Sequence, residues 1–155
     1  MKLSTQAPGR RLVLRGLPPY LPIAGALLLF PSSAFADSVT DWSAFADQVI
    51  AGAGAPPQQY RVLAMTQVAV HDALNSIDPR YRTYSIVGAM NPNASPDAAV
   101  ARAAADVLRA SMPSQVAAID AQYAASIAAL PACPASAPQC INQGIDAGSA
   151  AAAAI

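Results

Sequence analysis

The chain has 155 residues, enough for one domain with a substantial hydrophobic core, and its sequence shows no internal repeat. Hydrophobic residues make up 54% of it, with alanine supplying much of that total and glutamate absent, which favours closely packed helices over a sheet. The formal charge is zero, but residues 37–155 hold five arginines against nine aspartates, a formal charge of −4. A mildly acidic chain without a basic cluster argues against nucleic acid as a partner.

Residues 1–36 have the three parts of a cleavable secretory signal peptide. A basic start is followed by an apolar run over residues 17–30 and by the small-residue cleavage site Ala34-Phe35-Ala36. The alternative is a membrane anchor, but the run is too short to span a bilayer and contains three prolines. We therefore predict an exported chain, periplasmic or secreted, that has no stable membrane span after cleavage.

Two adjacent arginines in this segment leave two export routes open. Arg10-Arg11, followed by apolar residues and a further arginine, is similar to a twin-arginine export motif. That route suits proteins exported in folded form. The alternative is that the pair only makes the start of the signal basic for the general route.

Five helices are predicted after the signal peptide. The first starts at Ser38, with Thr40 or Asp41 near its start, and the second, on which we expect the others to pack, starts at Pro56. The fold class predicted for residues 37–155 is all-α, an antiparallel bundle of about five helices. The expected helices cover residues 38 to about 53, 56 to about 76, 96–109 (after the cap Ser95), 113–130 and 141–155.

Charged and small residues in the later helices predict how those helices pack. Arg102, Asp106 and Arg109 follow helical spacing, and we expect them to form a solvated face with weak ion pairs. Gly144 and Gly148 are four residues apart, which allows another helix to approach closely.

The only two cysteines of the chain, Cys133 and Cys140, close a short loop that contains prolines. In an exported protein this pattern indicates a disulfide. A metal site is disfavoured because the loop contains no His, Asp or Glu to complete a ligand set. We therefore predict a structural staple.

Polar residues of the second helix are the candidates for a functional site. Gln67, His71 and Asn75 form an i, i+4, i+8 row that includes the only histidine. The favoured interpretation is structural, with a neutral imidazole hydrogen-bonded between buried helices; the alternative is a binding role. His71 and Asp72 are adjacent, so we expect their side chains to diverge by about 100° and not to hold one metal or relay one proton jointly. The sequence contains no G-x-S-x-G nucleophile elbow that would support a catalytic triad.

Several segments resemble the amino-terminal helices of bacterial vanadium-dependent haloperoxidase-like proteins, which belong to the superfamily of type 2 phosphatidic acid phosphatases. The most distinctive is the block of residues 65–78, Met-Thr-Gln-Val-Ala-Val-His-Asp-Ala-Leu-Asn-Ser-Ile-Asp. The resemblance covers essentially all of the chain after the signal peptide. The other segments that carry it are Val39-Thr40-Asp41-Trp42, Arg61 to Ala64, Tyr81, Tyr84, and residues 95–100, 123–126 and 144–148.

The resemblance implies an exported all-helical enzyme that holds vanadate or phosphate, and that oxidises halide with peroxide or hydrolyses a phosphoester. The oxyanion site of that family uses a Lys, an Arg-Pro, a Pro-Ser-Gly-His segment and a later Ser-Arg followed by a second His. Residues 37–155 contain none of these motifs, so no catalytic, cofactor-binding or metal residue is assigned to this chain.

We accordingly expect the amino-terminal helical scaffold of such an enzyme, truncated before the catalytic motifs and not catalytic by itself. Its expected partner is the missing carboxy-terminal half or a second copy of the chain. The alternative is a self-sufficient exported helical module that binds or scaffolds a partner.

Overall fold

The computed structural model describes residues 37–52, 54–85, 88 and 92–155, and the predicted signal peptide lies outside them. The described part of the chain contains helices and no strand, which confirms the all-α class and the number of helices. The antiparallel order of the helices stays a prediction. No helix in these ranges is long and apolar enough to cross a bilayer. The helices are α1 (Ser38–Ile50), α2 (Pro56–Ile77), α3 (Pro96–Ser111), α4 (Val116–Ala128, after the 3₁₀ turn Pro113–Gln115) and α5 (Cys140–Ala153).

The first helix begins at Ser38, as expected from the sequence. Asp37 is its capping residue, and the side chain of Asp37 accepts the backbone N–H of Val39 at 3.2 Å. Thr40 and Asp41 lie in the first turn, near the start as expected, and the side chain that caps the helix is that of Asp37. The helix buries one face, on which Trp42 is 2% exposed.

The most enclosed helix is α3, and not α2 as expected from the sequence. It packs against all four other helices, and nine of its sixteen residues are buried. Most of those nine are alanines, whose single methyl groups let neighbours approach from several sides. In contrast, the first half of α2 leaves one side open, where Tyr60 is 71% exposed.

The fifth helix lies closest to α3, at the two glycines four residues apart. A Cβ built on Gly144 would lie 2.9 Å from the Cβ of Ala98 and would collide with the carbonyl oxygen of Ser95. A Cβ on Gly148 would lie 2.8 Å from the Cβ of Arg102 and would collide with the Ala99 carbonyl. The small-residue spacing therefore serves the close helix contact that the sequence predicted.

The charged residues of α3 link it to α4. Asp106 pairs with Arg102 and with Arg109, both at 2.7 Å, and Arg109 also pairs with Asp120 of α4 at 2.7 Å. The two guanidinium groups lie 5.8 and 5.0 Å from the ring centroid of Tyr123. The expected ion pairs are present, but the expectation of a solvated face was wrong, because both arginines are half-buried beside Tyr123 of α4.

The predicted disulfide between Cys133 and Cys140 is present, with the Cα atoms 5.7 Å apart. It fastens the loop before α5 to the first residue of that helix. The backbone N–H of Ser95, which caps α3, donates to the carbonyl of Cys140 at 2.8 Å. The disulfide therefore stands where α5 starts its contact with α3.

Candidate functional site

All buried polar side chains in the described ranges lie on one helix, α2. Two of them bond to the preceding turn of their own helix: Thr66 Oγ1 donates to the Val62 carbonyl at 2.9 Å and Ser76 Oγ to the Ala73 carbonyl at 2.7 Å. The other two reach outside the helix, into the loop that follows it. The four are Thr66, Asp72, Asn75 and Ser76.

Asp72 holds the loop after α2 by its carboxylate, which is fully buried. Its Oδ1 accepts the backbone N–H of Tyr84 at 2.8 Å, and its Oδ2 accepts that of Ser85 at 2.7 Å. Its Oδ1 also lies 2.9 Å from Nδ1 of His71. A carboxylate can only accept hydrogen bonds, so the nitrogen that faces it carries a proton.

Burial and hydrogen bonding act in opposite directions on this carboxyl. Burial by itself raises the pKa of Asp72, because it disfavours the charged form. The hydrogen bonds from Ser85, His71 and Tyr84 and the charge interaction with His71 together outweigh burial and hold the pKa of Asp72 below its ordinary value. Asp72 is therefore an ionised carboxylate inside the protein at neutral pH.

His71 differs from the imidazole expected between buried helices. Its side chain is 41% exposed, and its Nδ1 contacts the adjacent Asp72. The expectation that these two side chains diverge was wrong, because rotation about the side-chain bonds brings neighbouring residues into contact despite the 100° between their Cα–Cβ directions. The pair is a surface imidazole oriented by a buried carboxylate.

The side chains of Gln67, His71 and Asn75 do not bond to one another. Gln67 Nε2 donates to Ser43 Oγ of α1 at 2.7 Å. Asn75 is buried; its Nδ2 donates to the backbone carbonyl of His71 at 2.8 Å, and its Oδ1 accepts the backbone N–H of Tyr81 at 2.8 Å. Each residue of the row therefore has a different partner, and the side-chain pair at this place is His71 with Asp72.

A groove of about 390 Å³ opens beside this pair, between the end of α2, the following loop and the start of α3. Tyr81 lies on its rim and is 73% exposed, with its ring centroid 6.4 Å from that of His71. Asp78 and Arg80 form an ion pair at 2.6 Å on the same wall. The groove is lined by His71, Leu74, Asn75, Ile77, Asp78, Arg80, Tyr81 and Pro96.

Asp72 was not among the residues predicted for a site, although helical spacing offered a sign of its burial. Asp72 lies three residues after Ala69 and four before Ser76, and both of those are buried. A carboxylate on the inward face of a helix requires several hydrogen-bond donors. Its donors lie 12 and 13 residues further along, in a loop whose path the sequence does not show.

The described residues contain no group of three or more His, Cys, Asp or Glu side chains placed to hold a metal ion. Comparison of the chain with protein-family models, curated proteins and solved structures found no match.

Proposed function

We propose that residues 37–155 are the amino-terminal helical scaffold of an exported vanadium haloperoxidase-like or acid phosphatase-like enzyme, and that they are not catalytic alone. In this proposal vanadate or phosphate binds to groups supplied by a carboxy-terminal half, which is also the partner of this segment. The residues that carry the resemblance to the family, above all the block of residues 65–78, form most of α2.

The observation that carries the proposal is that the buried polar side chains of this block form hydrogen bonds mainly with the backbone. Thr66, Asp72, Asn75 and Ser76 direct their side-chain hydrogen bonds to backbone groups of the chain itself, apart from the contact of Asp72 with His71. Such bonds fix a helix and the loop that follows it. They are what a scaffold requires of its polar residues.

Open apolar surface on the helices supports a covering partner. A groove of about 310 Å³ lies between α2, α3 and α5, and its walls are mostly apolar. Exposed apolar surface of this kind often marks an interface with another chain or domain. The apolar residues that line it are Met65, Val107, Ala110, Ala152, Ala153 and Ile155.

The test is to purify residues 37–155 and to measure vanadate binding by ⁵¹V NMR, bromide oxidation with vanadate and peroxide, and hydrolysis of p-nitrophenyl phosphate. We expect no binding and no turnover. Vanadate binding or either activity in this segment would contradict the proposal. Extending the nucleotide sequence past the codon for Ile155 tests the other half of it, since the proposal requires Arg-Pro and Pro-Ser-Gly-His to be encoded there in some frame.

A second candidate is a self-sufficient exported helical module that binds a partner. The observation that favours it is α3, which the other four helices of this chain already surround. Thermal unfolding separates the two candidates: a monomer with one cooperative transition favours the module, and an aggregating chain that binds apolar dyes favours the scaffold.

A further inference from the structure

We propose that the groove beside His71 is a binding site for a small organic ammonium ion with an apolar body, and that Nε2 of His71 accepts the hydrogen bond from its nitrogen. The proposal rests on the groove alone and is independent of the family of the protein.

One ring nitrogen of His71 is free to accept a hydrogen bond. Nδ1 lies 2.9 Å from Oδ1 of Asp72, and that ionised carboxylate can only accept a hydrogen bond. In a neutral imidazole the single proton is therefore on Nδ1, and Nε2 keeps its lone pair. The exposed part of the ring thus offers the groove an acceptor and not a donor.

Two buried side chains of α2 hold the groove in place. The carboxylate of Asp72 that orients His71 also holds the backbone of Tyr84 and Ser85. Asn75 holds the backbone of Tyr81, on the rim of the groove, in the same way. The imidazole and the rim are therefore fixed before any ligand arrives, which lowers the entropic cost of binding.

The charged residues in and near the groove favour a cationic ligand. Asp78 and Arg80 compensate each other on the wall of the groove. The groups that bond to Asp72 in the described structure are two backbone amides and the imidazole, so its negative charge has no cationic counterpart while His71 is neutral. A cation in the groove is attracted to this charge, and an organic anion is repelled by it.

The groove also has an apolar and aromatic lining, which suits the body of the ligand. Leu74, Ile77 and Pro96 provide apolar lining, and the exposed ring of Tyr81 offers an aromatic face to a cation. A primary amine on a hydrocarbon or aromatic body matches both features. Benzylamine is a suitable probe, and benzyl alcohol and benzoate are its uncharged and anionic counterparts of similar size.

The experiment uses the fact that the chain has a single histidine, so that the imidazole signals in an NMR spectrum are unambiguous. We expect ¹⁵N shifts of the Nδ1–H tautomer in the free protein. Titration with benzylamine at about pH 8.5, where an ordinary imidazole is neutral and the amine is still mostly an ammonium ion, should then move the Nε2 signal saturably, with a Kd on the order of 1 mM, as expected of so small a ligand. Benzoate should leave the signal unmoved.

Variants locate the site. His71→Phe keeps the ring and removes the acceptor, and we expect it to weaken benzylamine binding about ten-fold, measured by calorimetry. Tyr60→Ala, at the exposed start of α2 and outside the groove, should leave binding unchanged. The proposal is overturned if the free ring is the Nε2–H tautomer, if benzylamine does not bind, if benzoate or benzyl alcohol binds as tightly as benzylamine, or if His71→Phe binds as tightly as the wild type.

Discussion

The carboxylate of Asp72 accepts the backbone N–H of Ser85 at 2.7 Å, thirteen residues further along the chain. The hydroxyl of Ser85 in turn donates to the carbonyl of Ala154, which caps α5, at 3.1 Å. One loop residue thus joins the carboxy-terminal part of α2 to the end of α5. The first two predictions test how much the fold depends on this buried carboxylate.

Replacing Asp72 by alanine should lower the free energy of unfolding by about 2 to 4 kcal/mol. The substitution leaves the amides of Tyr84 and Ser85 without their acceptor, and unsatisfied buried donors and lost charge-assisted hydrogen bonds have effects of this size. Urea unfolding followed by circular dichroism measures the loss. Asp47→Ala, at an exposed position of α1, is the matched control and should change stability by less than about 0.5 kcal/mol. Equal effects of the two substitutions would contradict the role given to Asp72.

The contribution of Asp72 should also depend on pH. Its pKa in the folded protein is below the ordinary value, so the folded state favours the ionised form. The stabilisation is complete above the pKa of the unfolded chain, about 4, and is lost as the pH falls through the lower folded value. We therefore expect the Tm difference between the wild type and Asp72→Asn to shrink from pH 7 to about pH 3. A difference that stays constant over this range would show that Asp72 does not stabilise the fold as an anion.

Replacing Gly144 or Gly148 by alanine should destabilise the fold by about 2 to 3 kcal/mol each. The added methyl group would meet backbone atoms of α3 that cannot move without shifting the helix, and overpacking of a tight contact has costs of this order. Gly52→Ala is the control, since a Cβ at Gly52 would meet nothing within 4 Å. Thermal unfolding of the three variants decides the matter. Gly144 and Gly148 variants as stable as Gly52→Ala would mean that α5 does not approach α3 as closely as described.

Removing the disulfide should lower stability by about 2 to 3 kcal/mol, the entropic effect expected for a cross-link across seven positions. The Cys133→Ser/Cys140→Ser double variant, compared with the wild type in urea without reductant, measures this loss. Reduced wild type and the double variant should then unfold at similar urea concentrations. Two reactive thiols in the non-reduced, exported protein would contradict the disulfide itself.

Features set by neighbours in the sequence were predicted well. Ser95 caps α3 and accepts the N–H of Ala98 at 3.3 Å, as the Ser-Pro-Asp sequence at its start indicates. The disulfide and the close contact at the two glycines of α5 were also predicted correctly, because each depends on residue types a few positions apart.

Features set by distant partners were not predicted. Alanine is common both in the interior and on the surface of helical proteins. An alanine-rich sequence therefore did not show that α3 would be the enclosed helix. The position of the Asp72 carboxylate depends on where the loop at Tyr84 and Ser85 returns, and no local pattern encodes that path. The contact of His71 with Asp72 depends on side-chain rotation, which a helical projection leaves out.

The seating of α5 on α3 constrains the order of events during synthesis. Chains emerge from the ribosome amino end first, and the side of α3 that receives Gly144 and Gly148 has no cover until residues 140–153 have been made. Until then, an apolar side of α3 is therefore open to solvent or to a chaperone. The contact between α3 and α5, and with it the core of these five helices, therefore forms only after residues 140–153 have left the ribosome.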